Sequence, residues 1–121
     1  MSQILVVDDD RVIRAMSVHL LESAGHRVAE AANGLEALRL LREVAFDILI
    51  TDLFMPEMDG LELIQSVRTA GSKIRIIAMS GAGALVGTHF LDFAESLGAD
   101  MVLRKPVVPA ALLAAIDGKQ R

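Results

Sequence analysis

The chain has 121 residues, 53% of them hydrophobic and 23% charged, a balance typical of one globular domain that spans residues 1–121 and buries a sizeable core. Its formal net charge of −4, with no run of Lys or Arg, argues against a nucleic-acid-binding surface, and the absence of cysteine excludes disulfides and thiolate metal sites. Because Met1 is followed by no signal-peptide pattern and no apolar run approaches the roughly 20 residues of a membrane span, we expect a cytoplasmic protein without membrane contact.

The first two predicted elements are a buried strand and an amphipathic helix. Residues 4–7 are Ile-Leu-Val-Val, a continuous apolar run typical of a strand that is covered on both faces. Asp10 stands where a helix N-cap is expected, and the predicted helix covers residues 12–24 before Gly25 ends it. Its apolar stripe consists of Ile13, Met16, Leu20 and Ala24.

The same alternation continues through the middle of the chain. Residues 27–31 predict a weaker strand, and residues 48–50 a third, fully apolar one. Asp59 and Glu62 have the spacing of a capping box and begin a helix that closes at Gly71. The apolar positions of the second and third predicted helices are Leu35, Leu38 and Leu41, and Leu61, Ile64 and Val67.

The last third of the chain completes the pattern. Residues 74–79 predict a fourth strand, and a Gly-rich loop over residues 81–87 leads to a helix over roughly residues 88–97. Residues 101–103 predict the fifth strand and residues 109–117 the last helix. Five short apolar strands that alternate with five helices predict an α/β fold, a doubly wound five-stranded parallel sheet with helices on both faces.

Polar residues follow the strands at one predicted edge of this sheet. Ligands of such sheets bind outside the carboxyl ends of the strands, and the candidates there are Asp8, Asp9, Asp52, Ser80 and Lys105. Three converging carboxylates repel one another, so either their pKa values rise or a cation lies among them. Oxygen ligands without His or Cys point to Mg²⁺, or to Mn²⁺ in its place. A cation beside a carboxylate nucleophile, a hydroxyl and an ammonium is an arrangement that handles phosphoryl groups.

Four motifs, in this order, resemble the signatures of response-regulator receiver domains of two-component signalling. They are V-V-D-D-D at 6–10, T-D-L-F-M-P-E-M-D-G at 51–60, M-S-G at 79–81 and R-K-P at 104–106. The resemblance extends over residues 4–116 and implies a stand-alone receiver domain with the flavodoxin-like (βα)5 fold. It implies a signalling protein that catalyses only its own phosphorylation and dephosphorylation.

The resemblance also implies roles for the polar residues. Asp52 would be the phosphoacceptor, Lys105 would contact the phosphoryl oxygens, and Ser80 would be the switch hydroxyl. The peptide between Lys105 and Pro106 would be cis, which is uncommon enough to be tested.

The implied ligands and partners follow from the same resemblance. Mg²⁺ would bind to the carboxylates of Asp9 and Asp52 and to the backbone carbonyl of Phe54, with Asp8 reaching it through water. The phosphoryl group would come from a sensor histidine kinase or a histidine phosphotransfer protein. A downstream protein, which the sequence does not identify, or a second copy of the chain would bind the face formed by the helix over residues 88–97, the fifth strand and the last helix.

The chain departs from the family pattern at three places. Val102 stands where many relatives carry Tyr or Phe, Val107 stands where Phe is common, and residues 81–87 are unusually rich in Gly. These departures leave the phosphorylation chemistry in place but put an aromatic readout in question. We therefore expect residues 81–87 to be the element that moves.

Other interpretations remain open. A pseudo-receiver would act only as an interaction module, which the complete acidic set opposes. A small phosphatase with an Asp nucleophile would carry a second Asp two residues later, where this chain has Phe54. A nucleotide or flavin binder would need a phosphate-cradling Gly loop or a stacking aromatic near the first strand. At the level of single residues, Asp52 could form a turn and Ser80 could cap the Gly-rich loop.

Overall fold

The predicted alternation of strands and helices is present in the computed structural model, which describes residues 1–55, 57–81, 94–105 and 107–118. The strands are β1 (Gln3–Val7), β2 (Arg27–Ala31), β3 (Ile48–Asp52), β4 (Arg75–Ser80) and β5 (Met101–Arg104). The helices are α1 (Arg11–Ser23), α2 (Gly34–Glu43), α3 (Gly60–Thr69) and α4 (Pro109–Ile116), and residues 94–97 are also helical. Within these described ranges, no helix combines the length and the apolar character that crossing a membrane requires.

The five strands form one parallel sheet in the order β2-β1-β3-β4-β5. Val6 pairs with Ile50 between β1 and β3, and Thr51 pairs with Ala78 between β3 and β4. The chain moves outward from β1 to β2 and then returns to the other side of β1 to form β3. The strand order therefore reverses between β1 and β3, and the loops that leave these two strands separate and open a crevice. The predicted doubly wound fold is confirmed.

Two apolar cores cover the two faces of the sheet. Successive side chains of a strand point to opposite faces, so Leu5 and Val7 pack with residues of α2 and α3, whereas Ile4 and Val6 pack with residues of α1 and α4. All five residues of β3 are buried. Burial on both faces explains why the strand sequences are continuously apolar instead of alternating.

Two predicted helix stripes are wrong in part. Met16 in α1 and Leu35 in α2 belong to the predicted apolar stripes, but these residues are 67% and 52% exposed. Ala24, also in the first predicted stripe, is exposed and lies just beyond the end of α1. The buried positions of α1 are Ser17 and Leu21, and Ala37 is buried in α2. Small residues such as Ser17 and Ala37 allow a helix to lie close to the sheet, and a search for large apolar residues passes over them.

The starts of α1 and α3 are fixed by side-chain caps, as predicted. Asp10 accepts hydrogen bonds from the backbone N–H groups of Val12 and Ile13 at 2.9 and 3.1 Å. At α3, the side chain of Asp59 accepts from the Glu62 N–H at 2.9 Å, and the Glu62 side chain accepts from the Asp59 N–H at 3.4 Å. Both helices therefore begin at defined residues, directly after the loops that follow β1 and β3.

Candidate functional site

Three carboxylates meet at the carboxyl ends of β1 and β3. Asp8 is fully buried and Asp52 is 7% exposed, whereas Asp9 is exposed. One oxygen atom of each carboxylate lies within 4.8 Å of the corresponding atoms of the other two. The structure thus brings together the three acidic residues that the strand-end pattern singled out.

Lys105 extends into this acidic cluster from the end of β5. Its Nζ donates hydrogen bonds to Oδ2 of Asp8 at 2.7 Å and to Oδ2 of Asp52 at 3.0 Å. The Lys105 side chain is only 12% exposed, so water and salt screen these ion pairs little. Its backbone N–H donates to the carbonyl of Ser80 at 2.9 Å. Gly81 leaves room for the Lys105 stem, because a Cβ atom on Gly81 would lie 3.1 Å from the Lys105 Cβ.

Burial has the largest effect on the ionisation of Asp52. It raises the pKa of the Asp52 carboxyl above its ordinary value of 3.8, and the hydrogen bond from Lys105 offsets only part of this effect. Burial alone would lower the pKa of Lys105, but the hydrogen bonds to Asp8 and Asp52 and the negative charges of these carboxylates together outweigh burial and raise that pKa above its ordinary value of 10.5. Lys105 is therefore a fixed cation between two carboxylates.

The loop that carries Asp8 and Asp9 is held by its backbone. The Asp8 N–H donates to the Ala31 carbonyl at 3.2 Å, and Asp8 Oδ1 accepts from the Asp10 N–H at 2.9 Å. The Asp8 carbonyl accepts from Nη1 of Arg14 at 2.6 Å. None of the sequence motifs singles out Arg14.

Asp52 lies where the start of α3 contacts the end of β3. The Gly60 N–H donates to the Leu53 carbonyl at 2.9 Å, and a Cβ atom on Gly60 would lie 2.0 Å from the Asp52 carbonyl oxygen. Only Gly, which lacks a Cβ, allows this close approach. The hydroxyl of Thr51 also donates to the Asp52 carbonyl, at 2.9 Å. The available sequence signal for Gly60 was a Gly at the first helical position, where a better helix former would be expected.

The donor set fits a hard divalent cation. Mg²⁺ binds six oxygens at about 2.1 Å, so its ligands lie about 3 Å apart when adjacent and about 4.2 Å apart when opposite. The three carboxylate oxygens lie within 4.8 Å of one another, close to this range. All three are oxygen donors, which favour Mg²⁺ or Mn²⁺ over softer metals.

The remaining predicted residues lie near this site or outside the described part of the chain. Ser80 is buried at the end of β4, and the half-buried Phe54 packs against the core on the α3 side. The backbone N–H of Phe54 donates to the Asp52 carboxylate. Val102 is half-buried and packs against the same core. Three predictions lie outside the described residues wholly or in part. They are the cis peptide at Pro106, residues 82–87 of the predicted mobile loop, and residues 88–93 of the helix predicted over residues 88–97.

Comparison with known proteins identifies the family. The sequence model of the response regulator receiver domain matches residues 4–117. The chain is 35% identical over 107 residues to the Regulator of RpoS of Escherichia coli, a match that covers 87% of this chain but only 30% of that regulator. It is 32% identical over 104 residues to Sporulation initiation phosphotransferase F of Bacillus subtilis, covering 86% of this chain and 82% of the relative. The structure of the chemotaxis protein CheY4 of Vibrio cholerae superimposes with a TM-score of 0.89 at 32% identity and covers 99% of both chains. The chain belongs to the response regulator receiver domain family of two-component signalling.

Proposed function

We propose that Asp52 accepts a phosphoryl group from a phosphohistidine of a sensor histidine kinase or a histidine phosphotransfer protein, with Mg²⁺ bound. One observation carries this proposal. Asp52 is a buried carboxylate with the Lys105 Nζ 3.0 Å from one of its oxygens, at the same edge where Asp8 and Asp9 converge. A carboxylate nucleophile with a fixed ammonium in contact, beside a site for a divalent cation, suits the transfer of an anionic phosphoryl group.

The transfer exchanges one bond to phosphorus for another. An oxygen of Asp52 forms the new bond to phosphorus while the phosphorus–nitrogen bond of the donor breaks. The electron pair of that bond returns to the imidazole ring of the donor, which takes up a proton from solvent. Lys105 would contact the transferred oxygens and offset their charge, and Ser80 would donate its hydroxyl to one of them. Bound Mg²⁺ would supply further positive charge at the phosphoryl oxygens. Attack by water at phosphorus breaks the bond to the Asp52 oxygen, releases inorganic phosphate and regenerates Asp52. The chain would therefore catalyse only its own phosphorylation and dephosphorylation.

The metal would bind directly to Asp9, Asp52 and the Phe54 carbonyl, and to Asp8 through water. The hydrogen bonds of Asp8 support its indirect role. Its Oδ1 accepts from the Asp10 N–H at 2.9 Å and its Oδ2 accepts from Lys105 at 2.7 Å. Both oxygens are thus already engaged, which favours contact through a water molecule over direct coordination.

Phosphorylation would signal to another protein. The name of the relative from Bacillus subtilis, a sporulation initiation phosphotransferase, supports a place in a phosphorelay. The output face would comprise residues 88–97, β5 and α4, because the hydrogen bond from Lys105 to the Ser80 carbonyl joins the phosphoryl site to the edge of that face. A downstream protein or a second copy of the chain would bind there. The same proposal includes that residues 1–121 form one receiver domain and that it acts in the cytoplasm, where sensor kinases present phosphohistidine.

Intact-mass measurement after incubation with acetyl phosphate and Mg²⁺ tests the proposal. We expect the wild-type chain to gain the mass of one phosphoryl group and Asp52→Asn to gain none. The matched control is Asp47→Asn, because Asp47 lies just before β3, at the opposite end from Asp52. Among the bonds described, its side chain accepts only from the Gln3 N–H, at 2.8 Å. This control should be phosphorylated like the wild type. An adduct on Asp52→Asn at the wild-type rate would contradict the assignment, and a wild-type chain that is never phosphorylated would favour the pseudo-receiver.

A further inference from the structure

Arg14 connects three elements behind the acidic cluster. From α1, its Nη1 donates to the backbone carbonyl of Asp8 at 2.6 Å, and its Nε donates to Oε1 of Glu30 in β2 at 2.9 Å. The Arg14 side chain is 17% exposed, whereas that of Glu30 is 48% exposed. The guanidinium is thus a largely covered link between the end of β1 and the neighbouring strand.

The two hydrogen bonds of Arg14 fix the direction of one peptide plane. A guanidinium is planar and rigid, so the bond to Glu30 determines where Nη1 points. Nη1 in turn holds the Asp8 carbonyl, which lies in one plane with the N–H of Asp9. The two ends of that plane are the Cα atoms of Asp8 and Asp9, which carry the side chains. The orientation of the plane therefore affects the directions of both carboxylates.

We propose that Arg14 is a positioning residue for the cation site. By holding the peptide between Asp8 and Asp9, it keeps the carboxylates of these two residues turned toward Asp52. Arg14 itself does not touch the cation or the phosphoryl group. The inference rests on the cation site of the proposed function, but it does not depend on phosphoryl transfer to Asp52.

Charge and position have opposite effects here, and this makes the inference testable. Arg14 is a cation close to a site for a divalent cation, so Coulomb repulsion alone would weaken metal binding. If only charge mattered, replacing Arg14 by a neutral residue would strengthen the binding of the metal. If Arg14 positions the two carboxylates, the same replacement weakens it.

Titration of the purified chain with Mn²⁺, with free Mn²⁺ followed by electron paramagnetic resonance, measures this directly. We expect Arg14→Gln to raise the Kd for Mn²⁺ by about tenfold or more, as for other residues that orient metal ligands. Arg14→Lys keeps the charge but replaces the two rigidly spaced donors Nε and Nη1 by one nitrogen on a flexible stem, so we expect it to weaken binding too. The matched control is Arg39→Gln in α2, which removes a cation from the exposed pairs with Glu36 and Glu43, both at 3.9 Å, and should leave the Kd unchanged.

A second readout separates positioning from general stability. Urea unfolding and circular dichroism identify variants that are less folded than the wild type. If Arg14→Gln does not fold, Arg14→Lys takes its place in the Mn²⁺ titration. In phosphorylation by acetyl phosphate, the Arg14 variants should need more Mg²⁺ for half-maximal rate yet approach the wild-type rate at saturation, because Asp52 and Lys105 are intact. A folded Arg14→Gln that binds Mn²⁺ as tightly as the wild type, or more tightly, overturns the inference. A wild-type chain that binds no Mn²⁺ overturns it together with the cation site, whereas a chain that binds Mn²⁺ but is not phosphorylated overturns only the proposed transfer.

Discussion

Asp8 and Asp52 share a single ammonium, because Lys105 Nζ lies 2.7 and 3.0 Å from their carboxylate oxygens. With Asp9 beside them, the carboxylates at this edge outnumber the cations that directly contact them. Lys105 therefore compensates only part of the negative charge that burial makes costly. A divalent cation at the carboxylate oxygens would complete the compensation, and a phosphoryl group would later find positive charge already in place.

The pKa of Asp52 predicts how the metal-free chain responds to pH. Because this pKa is raised in the folded state, ionisation of Asp52 opposes folding. The opposition is absent below the pKa of the unfolded chain, grows as the pH rises from the unfolded pKa to the folded pKa, and is fully present above the folded pKa. In the presence of a chelator we expect Asp52→Asn to unfold at higher urea than the wild type at pH 7, and this advantage to shrink as the pH is lowered toward 4.

Urea midpoints at both pH values, followed by circular dichroism, check this expectation. Asp47→Asn controls for the loss of one carboxylate at the opposite end of β3 and should show no such pH-dependent advantage. If Asp52→Asn unfolds at the same or lower urea than the wild type at pH 7, the hydrogen bond of Lys105 outweighs the burial of Asp52, and the stated balance is wrong.

Some residues of the site could be found from the sequence and others could not. Asp8 and Asp52 could be placed because each ends or follows an apolar strand, and the carboxyl ends of parallel strands share one edge. Gly60 belongs to the motif at 51–60, but its contact with Asp52 could not be predicted, and Arg14 belongs to none of the motifs. The importance of both residues arises from contacts with other elements. Spacing along one helix does not reveal that Arg14 reaches the Asp8 carbonyl.

At the scale of elements, the position of Asp52 depends on how closely α3 approaches β3. The Gly60 N–H bonds to the Leu53 carbonyl at 2.9 Å, and the cap formed by Asp59 and Glu62 fixes the first turn of the helix. The first turn of α2 is similarly close to the loop between β3 and α3, since the Gly34 N–H donates to the Met58 carbonyl at 3.1 Å. The loop after Asp52 is therefore held between the starts of two helices.

Gly60→Ala should disrupt this junction. The new Cβ would lie 2.0 Å from the Asp52 carbonyl oxygen, so α3 or the end of β3 must move. We expect a loss of about 2–4 kcal/mol in the free energy of unfolding, as for other overpacked sites, and weaker Mn²⁺ binding because Asp52 shifts. Urea unfolding and Mn²⁺ titration measure the two effects.

Gly71→Ala is the matched control, just beyond the other end of α3. Gly71 has a φ of +88°, and a Cβ there would meet no atom within 4 Å. The substitution should cost about 1 kcal/mol through backbone strain and leave the metal affinity unchanged. Equal effects of Gly60→Ala and Gly71→Ala on Mn²⁺ binding would show that the contact between Gly60 and Asp52 does not position the site.

The elements themselves differ in how far they could be predicted. The strands were recognisable because burial on both faces requires continuous apolar runs, as in β1 and β3. The buried faces of α1 and α2 were harder, because Ser17 and Ala37 face the sheet while Met16 and Leu35 are exposed. Close packing of a helix on a sheet selects small side chains, and hydrophobicity alone does not predict that choice.

At the scale of the whole molecule, the cation site exists only when distant parts of the chain are folded together. Asp8 and Asp9 follow β1, Asp52 ends β3, and Lys105 follows β5. β1 and β3 are adjacent because the strand order reverses around β1. An unfolded chain cannot hold these carboxylates within 4.8 Å of one another, so a metal that binds here binds the folded state and not the unfolded one.

Mg²⁺ should therefore stabilise the entire fold by mass action. At a free Mg²⁺ concentration of 100 times its Kd, the gain in the free energy of unfolding is about 2.7 kcal/mol. We expect thermal unfolding of the wild type and of Asp47→Asn to shift to higher temperature as Mg²⁺ is added, whereas Asp9→Ala and Asp52→Asn shift much less. The wild type, which we expect to be less stable than Asp52→Asn in chelator, should then approach or overtake that variant. If Mg²⁺ stabilises the chain by binding at the ends of β1 and β3, loss of Asp9 or Asp52 must reduce the shift in unfolding temperature. An equal shift of all four proteins would therefore mean that Mg²⁺ acts on general surface charge and not at this site.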